Sequence, residues 1–314
     1  MRCDVVTVLI NYNGLDDTLA CLHSLRESDT LPFVVLVDNG SAIGNRVDVD
    51  VAKEIYPNIH VIQSEENLGF GGGNNLGINW ALENTVCKYV YVLNNDTILR
   101  QNSISILTQY MESHIEVGAC SPRIMSLDYP DIVWYGGGYL NWKKGGARSP
   151  MINKTFDDCM DNLDVTFISG CAMFLRREAL EKTKGFDERF FIYCEDVDLS
   201  ARIIKAGYKI SYVPSSLLLH KAHSSLRGDE GKHFFTHSIT NPRLTFFLEH
   251  LVYGSLLNLS LHATFVERIQ GQISLLIRWS KWSVSYVLNR RIDAFRAMWR
   301  GLVRFHKQKK LSRL

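Results

Sequence analysis

Val5-Val6-Thr7-Val8-Leu9-Ile10-Asn11-Tyr12-Asn13-Gly14 is an unbroken run of β-branched and aliphatic residues that stops at a polar, turn-forming loop. A strand with one wet face alternates apolar with polar residues, whereas a strand without alternation is buried on both faces, as in a parallel sheet covered by helices. Immediately afterwards Leu15, Leu19, Leu22 and Leu25 recur at helical spacing over residues 15–27, and a second apolar run, Phe33 to Val37, stops at Asp38-Asn39-Gly40-Ser41. Gly, Asn, Asp and Ser at these stops favour turns, so the opening reads strand, helix, strand. The pattern repeats with a strand from Ile59 to Gln63, a glycine-rich loop from Asn67 to Asn75, a helix through Ile78-Asn79-Trp80-Ala81-Leu82 and a strand from Tyr89 to Leu93. Such alternation predicts an α/β fold with a mostly parallel sheet flanked by helices. Ligands of such sheets lie beyond the carboxyl ends of the strands, where Asn11-Tyr12-Asn13, Asp38-Asn39 and Asn94-Asn95-Asp96 fall.

Residues 121–164, rich in Gly, Pro and aromatics around Trp134-Tyr135-Gly136-Gly137-Gly138-Tyr139, have weak periodicity and are expected to form a long loop or hairpin insert over the site. Regular structure should resume with Val165 to Leu175, a helix near Arg176 to Thr183, an acid-rich turn, a helix from about Glu195 to Ala206, a strand from Lys209 to Val213 and the run Leu217-Leu218-Leu219-His220. From about Leu244 the pattern is helical. The expected division is an α/β domain over residues 1–225 and a helical, basic extension over residues 226–314.

With 314 residues and 46% hydrophobic content, the chain can bury a large core without disulfides. Its seven cysteines form no CxxC pair and no zinc-type spacing with histidine, so reduced thiols in a cytoplasmic protein are the expectation. The run Val5 to Ile10 is too brief for a signal peptide, and no window reaches the roughly 18 consecutive apolar residues of a spanning helix. The net charge of +2 hides an asymmetry, because from Arg278 onward eleven Lys or Arg residues face one acid, Asp293. Trp279, Trp282, Tyr286, Phe295 and Trp299 lie among those cations. This mixture suits the headgroup region of an anionic membrane, which points to a peripheral position on the inner face of the plasma membrane. Helix packing and nucleic-acid binding are the competing readings of the same residues; a nucleic-acid partner is not expected, and the apolar residues of these helices could equally make a homodimer.

The most chemical stretch runs from Asp187 to Arg202, with five carboxylates, four of them about an aromatic turn leading into a helix. Glu195 and Asp196 would open that helix, where the dipole favours their charge and an ionised carboxylate can act as a general base. Capping of the first turn is the plainer alternative. Asp198 and Arg202, four apart, make a structural pair. Asp96 either shares a divalent cation with substrate phosphates or ends its strand in an Asx turn. His220 is either a core histidine or a metal ligand partnered by a carboxylate such as Asp96; His223, His233 and His237 show no ligand spacing. Gly69-Phe70-Gly71-Gly72-Gly73-Asn74-Asn75 would let backbone amides approach a pyrophosphate or is a flexible turn, and it lacks the Lys-Ser/Thr of a P-loop.

Taken in order, Val8-Leu9-Ile10-Asn11-Tyr12-Asn13, Val35-Leu36-Val37-Asp38-Asn39-Gly40-Ser41, Asn67-Leu68-Gly69-Phe70-Gly71-Gly72-Gly73-Asn74-Asn75, Val92-Leu93-Asn94-Asn95-Asp96, Gly170-Cys171-Ala172-Met173, Gly185-Phe186-Asp187-Glu188 and Glu195-Asp196-Val197-Asp198 resemble the family 2 glycosyltransferases of GT-A fold. Within them the resemblance is to the bacterial rhamnosyltransferase-like branch that builds surface polysaccharides, and it covers residues 5 to about 225. It implies a nucleotide-sugar donor with Asp38 on its base or ribose, Asn67 and Asn75 near it, and Asn11, Asn13, Asn39, Gly69 and Asn95 among the donor-binding positions. It further implies Asp96 on a Mg2+ or Mn2+ that bridges the diphosphate, His220 as the late metal-binding histidine, and Asp196, beside Glu195, as the base of the ED motif. The metal motif lacks the first acid of a full DxD, so cation binding leans on Asp96 and His220.

A sugar leaving as its nucleoside diphosphate needs its charge neutralised, and an attacking hydroxyl needs its proton taken. One base and no evident second nucleophile imply displacement in a single step with inversion. The expected donor is dTDP-rhamnose, with UDP-hexoses or galactofuranose as alternatives, and the expected acceptor is a glycan or a lipid-linked oligosaccharide. The rival of another class is a catalytically silent nucleotide-sugar-binding module, against which the Glu195-Asp196 pair speaks.

Overall fold

The apolar runs become the middle of one large sheet. The computed structural model describes residues 3–155, 163–221 and 237–311. His223, His233, Cys159 and the expected boundary at residues 225 and 226 lie outside them.

β1 (Val5–Asn11), α1 (Leu15–Arg26), β2 (Phe33–Asn39), α2 (Val49–Ile55), β3 (Ile59–Ser64), α3 (Gly69–Asn84) and β4 (Tyr89–Asn94) alternate along the chain. β1 lies between β2 and β4 and is parallel to both, and β3 adds a fourth parallel strand beyond β2. Then follow β5 (Thr97–Leu99), α4 (Ser103–Ser113), β6 (Val117–Ser126), β7 (Val133–Tyr135), β8 (Tyr139–Asn141), β9 (Gly146–Arg148), β10 (Leu163–Val165), β11 (Ala172–Arg176), α5 (Arg177–Thr183), α6 (Glu195–Lys205) and β12 (Lys209–His220). The main path of the sheet is β10-β12-β6-β11-β4-β1-β2-β3, with β5 on β12 and β7 on β6. β11 is antiparallel to β4 and β6, β12 is parallel to β6, and β10 is antiparallel to β12, so all but β10 and β11 of this path run one way. Val6, Val8, Leu9, Val34 to Val37, Val90 and Val92 are fully buried, each worth about 1.5–3 kcal/mol of burial.

Three local expectations change. The glycine-rich segment is not a loop but the first turns of α3, with Gly69, Gly71, Gly72 and Gly73 buried. A Cβ on Gly69, where φ is +75°, would come within 2.2 Å of the Phe191 carbonyl oxygen, and one on Gly73 within 2.9 Å of Asn39. Close approach therefore outweighs the helix cost of about 1 kcal/mol per glycine. Residues 121–126 belong to β6, wholly buried, so the insert starts after Ser126 and includes the two-stranded β8–β9 ribbon. The strand from Lys209 and the run ending at His220 are one strand, β12, with a register shift between Val213 and Leu217.

α7 (Leu244–His262), α8 (Phe265–Leu288) and α9 (Ile292–Leu311) complete the described chain. They build a second hydrophobic cluster from Leu248, Val252, Leu259, Trp279, Tyr286 and Ala297, into which Phe190 of the preceding turn inserts. α7 is long and apolar enough to cross a bilayer, yet 61% of it is buried against neighbouring protein. The tail aromatics divide: Trp279 and Tyr286 pack inside, Trp282 stacks on His237, and Phe295 and Trp299 are exposed. The exposed apolar face of α8 is aliphatic instead, with Val266, Ile269, Ile273, Leu276, Ile277, Val284, Val287 and Leu288 at helical spacing.

Candidate active site

A cavity of about 800 Å³ opens at the carboxyl ends of β1, β4 and β12, bounded by the starts of α3, α6 and α7. Asp96, Glu195, Asp196 and His220 all line it, although 124 positions separate the first from the last.

The sheet itself joins Asp96 to His220. β5 pairs with the end of β12 so that Thr97 lies opposite His220, and Lys221 N–H donates to the Asp96 carbonyl at 2.9 Å. His220 Nε2 then sits 3.0 Å from Asp96 Oδ1, with the Trp134 ring edge-on at 4.5 Å. Burial alone would lower the pKa of His220, but the Asp96 carboxylate reverses this and holds it well above the ordinary imidazole value. The pair offers a cation one carboxylate and one imidazole; Cys171 touches His220, but among the described residues no group of three or more His, Cys, Asp or Glu is arranged to hold a metal ion. These mixed oxygen and nitrogen donors would suit Mn2+ at least as well as Mg2+.

The other two acids arrive by a strained route. Tyr193 and Cys194 have φ of 67° and 72°, left-handed values that cost about 1–2 kcal/mol per residue. α7 holds this kink in place. Asn258 Nδ2 donates to the Cys194 carbonyl at 2.9 Å, and Gly254 leaves room where a Cβ would lie 2.9 Å from that of Cys194. One turn on, buried Asp198 pairs with Arg202 at 2.6 Å, as the spacing predicts, and lies 2.7 Å from Nε2 of His262 on α7.

Neither acid caps α6, which has no side-chain cap. Asp196 Oδ2 accepts from Gly170 N–H at 3.0 Å and Oδ1 from Val197 N–H at 2.8 Å. Desolvation still pushes the Asp196 carboxyl up to about 6, against those backbone bonds. Glu195 is 5% exposed and its Oε2 has no hydrogen-bond partner among the described residues. Burial first, and Asp196 second, drive its pKa well above the ordinary carboxylate value. The helix dipole was expected to keep both ionised. It is worth ~0.3–1 kcal/mol, whereas raising Asp196 to about 6 takes roughly 3 kcal/mol, so desolvation wins. Asp196 is thus raised to about 6, and Glu195 beside it is raised well above the ordinary carboxylate value by burial.

Asn13, Asn39, Asn67, Gly69 and Asn95 line the cavity, but Asn11, Asp38 and Asn75 do not. Asp38 is buried, with its carboxylate accepting from Asn11 Nδ2, Ser41 N–H and Val47 N–H at 3.0, 3.0 and 2.7 Å. Asn11 also donates to the Asn45 carbonyl at 2.8 Å and accepts from Thr18 at 3.1 Å, so this pair fastens the loops after β1 and β2. Asn75 bonds both backbone groups of Phe186 at 2.8 and 2.9 Å, fixing α3 to the turn that precedes α6. Tyr12 lines the cavity at the sheet edge where its loop was expected, and Lys221, Phe191, Arg243, Phe246 and Phe247 line it without having been expected there. Lys221 directly follows His220 and was within reach of sequence reasoning; Arg243 and the two phenylalanines come from the start of α7, for which no local signal exists.

The description "Glycosyl transferase family 2" matches residues 7–184, and "N-terminal domain of galactosyltransferase" matches residues 151–224. The chain is 33% identical over 222 residues to an N-acetylglucosaminyl-diphospho-decaprenol L-rhamnosyltransferase of Mycobacterium tuberculosis, covering 65% of this chain and 71% of that protein. It is 27% identical over 251 residues to rhamnosyltransferase WbbL of Escherichia coli strain K12, covering 74% and 89%. A mannosyltransferase from Pyrobaculum calidifontis, solved with GDP-Man and Mn2+, superposes with a TM-score of 0.56 over 98% of this chain and 88% of that one. At 14% identity that likeness shows the fold.

Proposed function

This chain belongs to glycosyl transferase family 2 and is a glycosyltransferase of the rhamnosyltransferase-like branch; from that premise we propose that it transfers rhamnose from dTDP-rhamnose, with inversion, to a hydroxyl of a lipid-linked saccharide in cell-surface polysaccharide synthesis. One observation carries the reading: the Asp96–His220 pair and the ionised Asp196 line the same cavity.

In this reading Asn13, Asn39, Asn67, Gly69 and Asn95 hold the nucleotide-sugar, and Asp96 with His220 would hold a divalent cation, Mn2+ or Mg2+. When bound there, such a cation would supply charge neutralisation for the departing diphosphate. Asp196 takes the proton of the acceptor hydroxyl, whose oxygen attacks the anomeric carbon while the bond to the diphosphate oxygen breaks and its electron pair leaves with that oxygen. Asn11, Asp38 and Asn75 act one step back, on the loops. The names of the relatives support rhamnose and a lipid-diphosphate acceptor. The aliphatic face of α8, flanked by exposed Lys281, Arg290 and Arg296, supports a peripheral seat on an anionic membrane at the cytoplasmic side.

Purified protein incubated with dTDP-rhamnose, UDP-hexoses and UDP-galactofuranose, with and without Mn2+, is expected to release nucleoside diphosphate from dTDP-rhamnose only when the cation is present. Release from a UDP-sugar alone would replace the donor, and tight donor binding without turnover would favour the silent binding module.

A further inference from the structure

The cavity has two chemically different walls. One carries amide side chains and the acid and imidazole groups already described. The other is built by the aromatic turn before α6 and the first turn of α7. Phe191 meets Phe246 edge-on with ring centroids 6.4 Å apart, and Tyr193 meets Phe247 edge-on at 5.0 Å. Phe246 is 41% exposed at the mouth. The turn is seated firmly, because Phe70 N–H of α3 donates to the Phe191 carbonyl at 2.7 Å.

Two cations line the cavity. Lys221 is tied to Asp17 at 2.7 Å. Arg243, at the head of α7, is exposed and makes no ion pair among the described residues. A nucleotide-sugar would place its anionic diphosphate at the Asp96–His220 corner, whereas Arg243 lines the cavity from the head of α7, within four residues of Phe246 and Phe247. It fits a second anion that carries a hydrocarbon chain.

We propose that this wall is the acceptor subsite, in which Arg243 binds the diphosphate of an isoprenoid-linked acceptor and Phe191, Phe246 and Phe247 take its first isoprene units. This deepens the glycosyl-transfer reading and rests on it. A guanidinium pairs with diphosphate oxygens bidentately, and the rings bury the chain where it leaves the diphosphate, which leaves the acceptor sugar on the Asp196 side. The subsite discriminates against free saccharides through two features they lack, charge and hydrocarbon.

Calorimetry on the full chain, with dTDP and Mn2+ at saturation so that the donor site is filled, tests this with farnesyl diphosphate, farnesol and inorganic pyrophosphate as probes. Farnesyl diphosphate should bind without displacing dTDP and bind at least tenfold more tightly than either fragment. Arg243→Ala should weaken it by about 10- to 100-fold, the range of a lost charge-assisted pair, and Phe246→Ser by a smaller factor, with dTDP affinity unchanged in both. Unchanged affinity in Arg243→Ala, displacement of dTDP, or pyrophosphate binding as tightly as farnesyl diphosphate would overturn the subsite. Wild-type protein that binds no nucleoside diphosphate would instead overturn the glycosyl-transfer reading beneath it.

Discussion

At one corner of the cavity a carboxylate faces an imidazole, and at the other two carboxylates stand side by side with no cation paired to either among the described residues. Burial acts on both corners, with opposite outcomes. For Asp96 and His220, mutual attraction outweighs desolvation and favours the charged histidine. For Glu195, desolvation and the charge of Asp196 both oppose ionisation, and for Asp196 desolvation outweighs its backbone hydrogen bonds, so both carboxyls are raised, Asp196 to about 6. A corner that pairs opposite charges is suited to exchange its proton for a cation; a corner that crowds like charges is suited to accept a proton.

Substitutions can break or sharpen that contrast. The largest effect is expected from Asp196→Asn, which should lower kcat by ~10²–10⁴ while leaving dTDP affinity intact by calorimetry; near-wild-type turnover would remove Asp196 from the role of base. At the opposite corner Asp96→Ala should weaken Mn2+-dependent donor binding by at least ~10-fold, and identical titrations with and without Mn2+ in the variant and the wild type would count against the cation site.

Next in size is Asn258→Ala, which frees the Cys194 carbonyl. It should lower stability by about 1 kcal/mol and cut kcat several-fold with donor affinity unchanged; a fall in melting temperature with no change in kcat would make Asn258 a purely structural bond. The pH dependence gives the finest test. Because the folded pKa of Asp196 is raised to about 6, the base is ready above that pH, and kcat/KM should fall about tenfold per unit below it. The Asp196 shift comes from desolvation and not from the charge of Glu195, so in Glu195→Gln this limb should stay near 6. Movement of the limb by a full pH unit would show that Glu195 is ionised and the two corners less different than described.

Much of this was legible in the chain. Val5 to Ile10, Phe33 to Val37 and Tyr89 to Leu93 became β1, β2 and β4, because a strand buried on both faces betrays itself by unbroken β-branched residues. The helix at Gly69 was not legible, since four glycines argue locally for a loop and only the nearness of Asn39 and Phe191 gives them a packing reason. Asp38 and Asn75 lie in the motifs that marked them for the donor, yet their hydrogen bonds are spent on Val47 and Phe186. The tail aromatics divide for a related reason: Trp279 and Tyr286 fill the second core, while Phe295 and Trp299 stay exposed beside a mostly aliphatic stripe on α8.

The amino-acid order alone determined the alternation of strands and helices, the sheet edge at which the polar loops collect, and the family that those loops mark, because hydrophobic period and turn residues act over a few neighbours. The tertiary structure decided which of the polar residues meet the cavity, that burial raises both Glu195 and Asp196, and that α7 supports α6 through Gly254, Asn258 and His262. Those outcomes depend on desolvation and charge summed over groups that are distant in the chain and close only once it has folded.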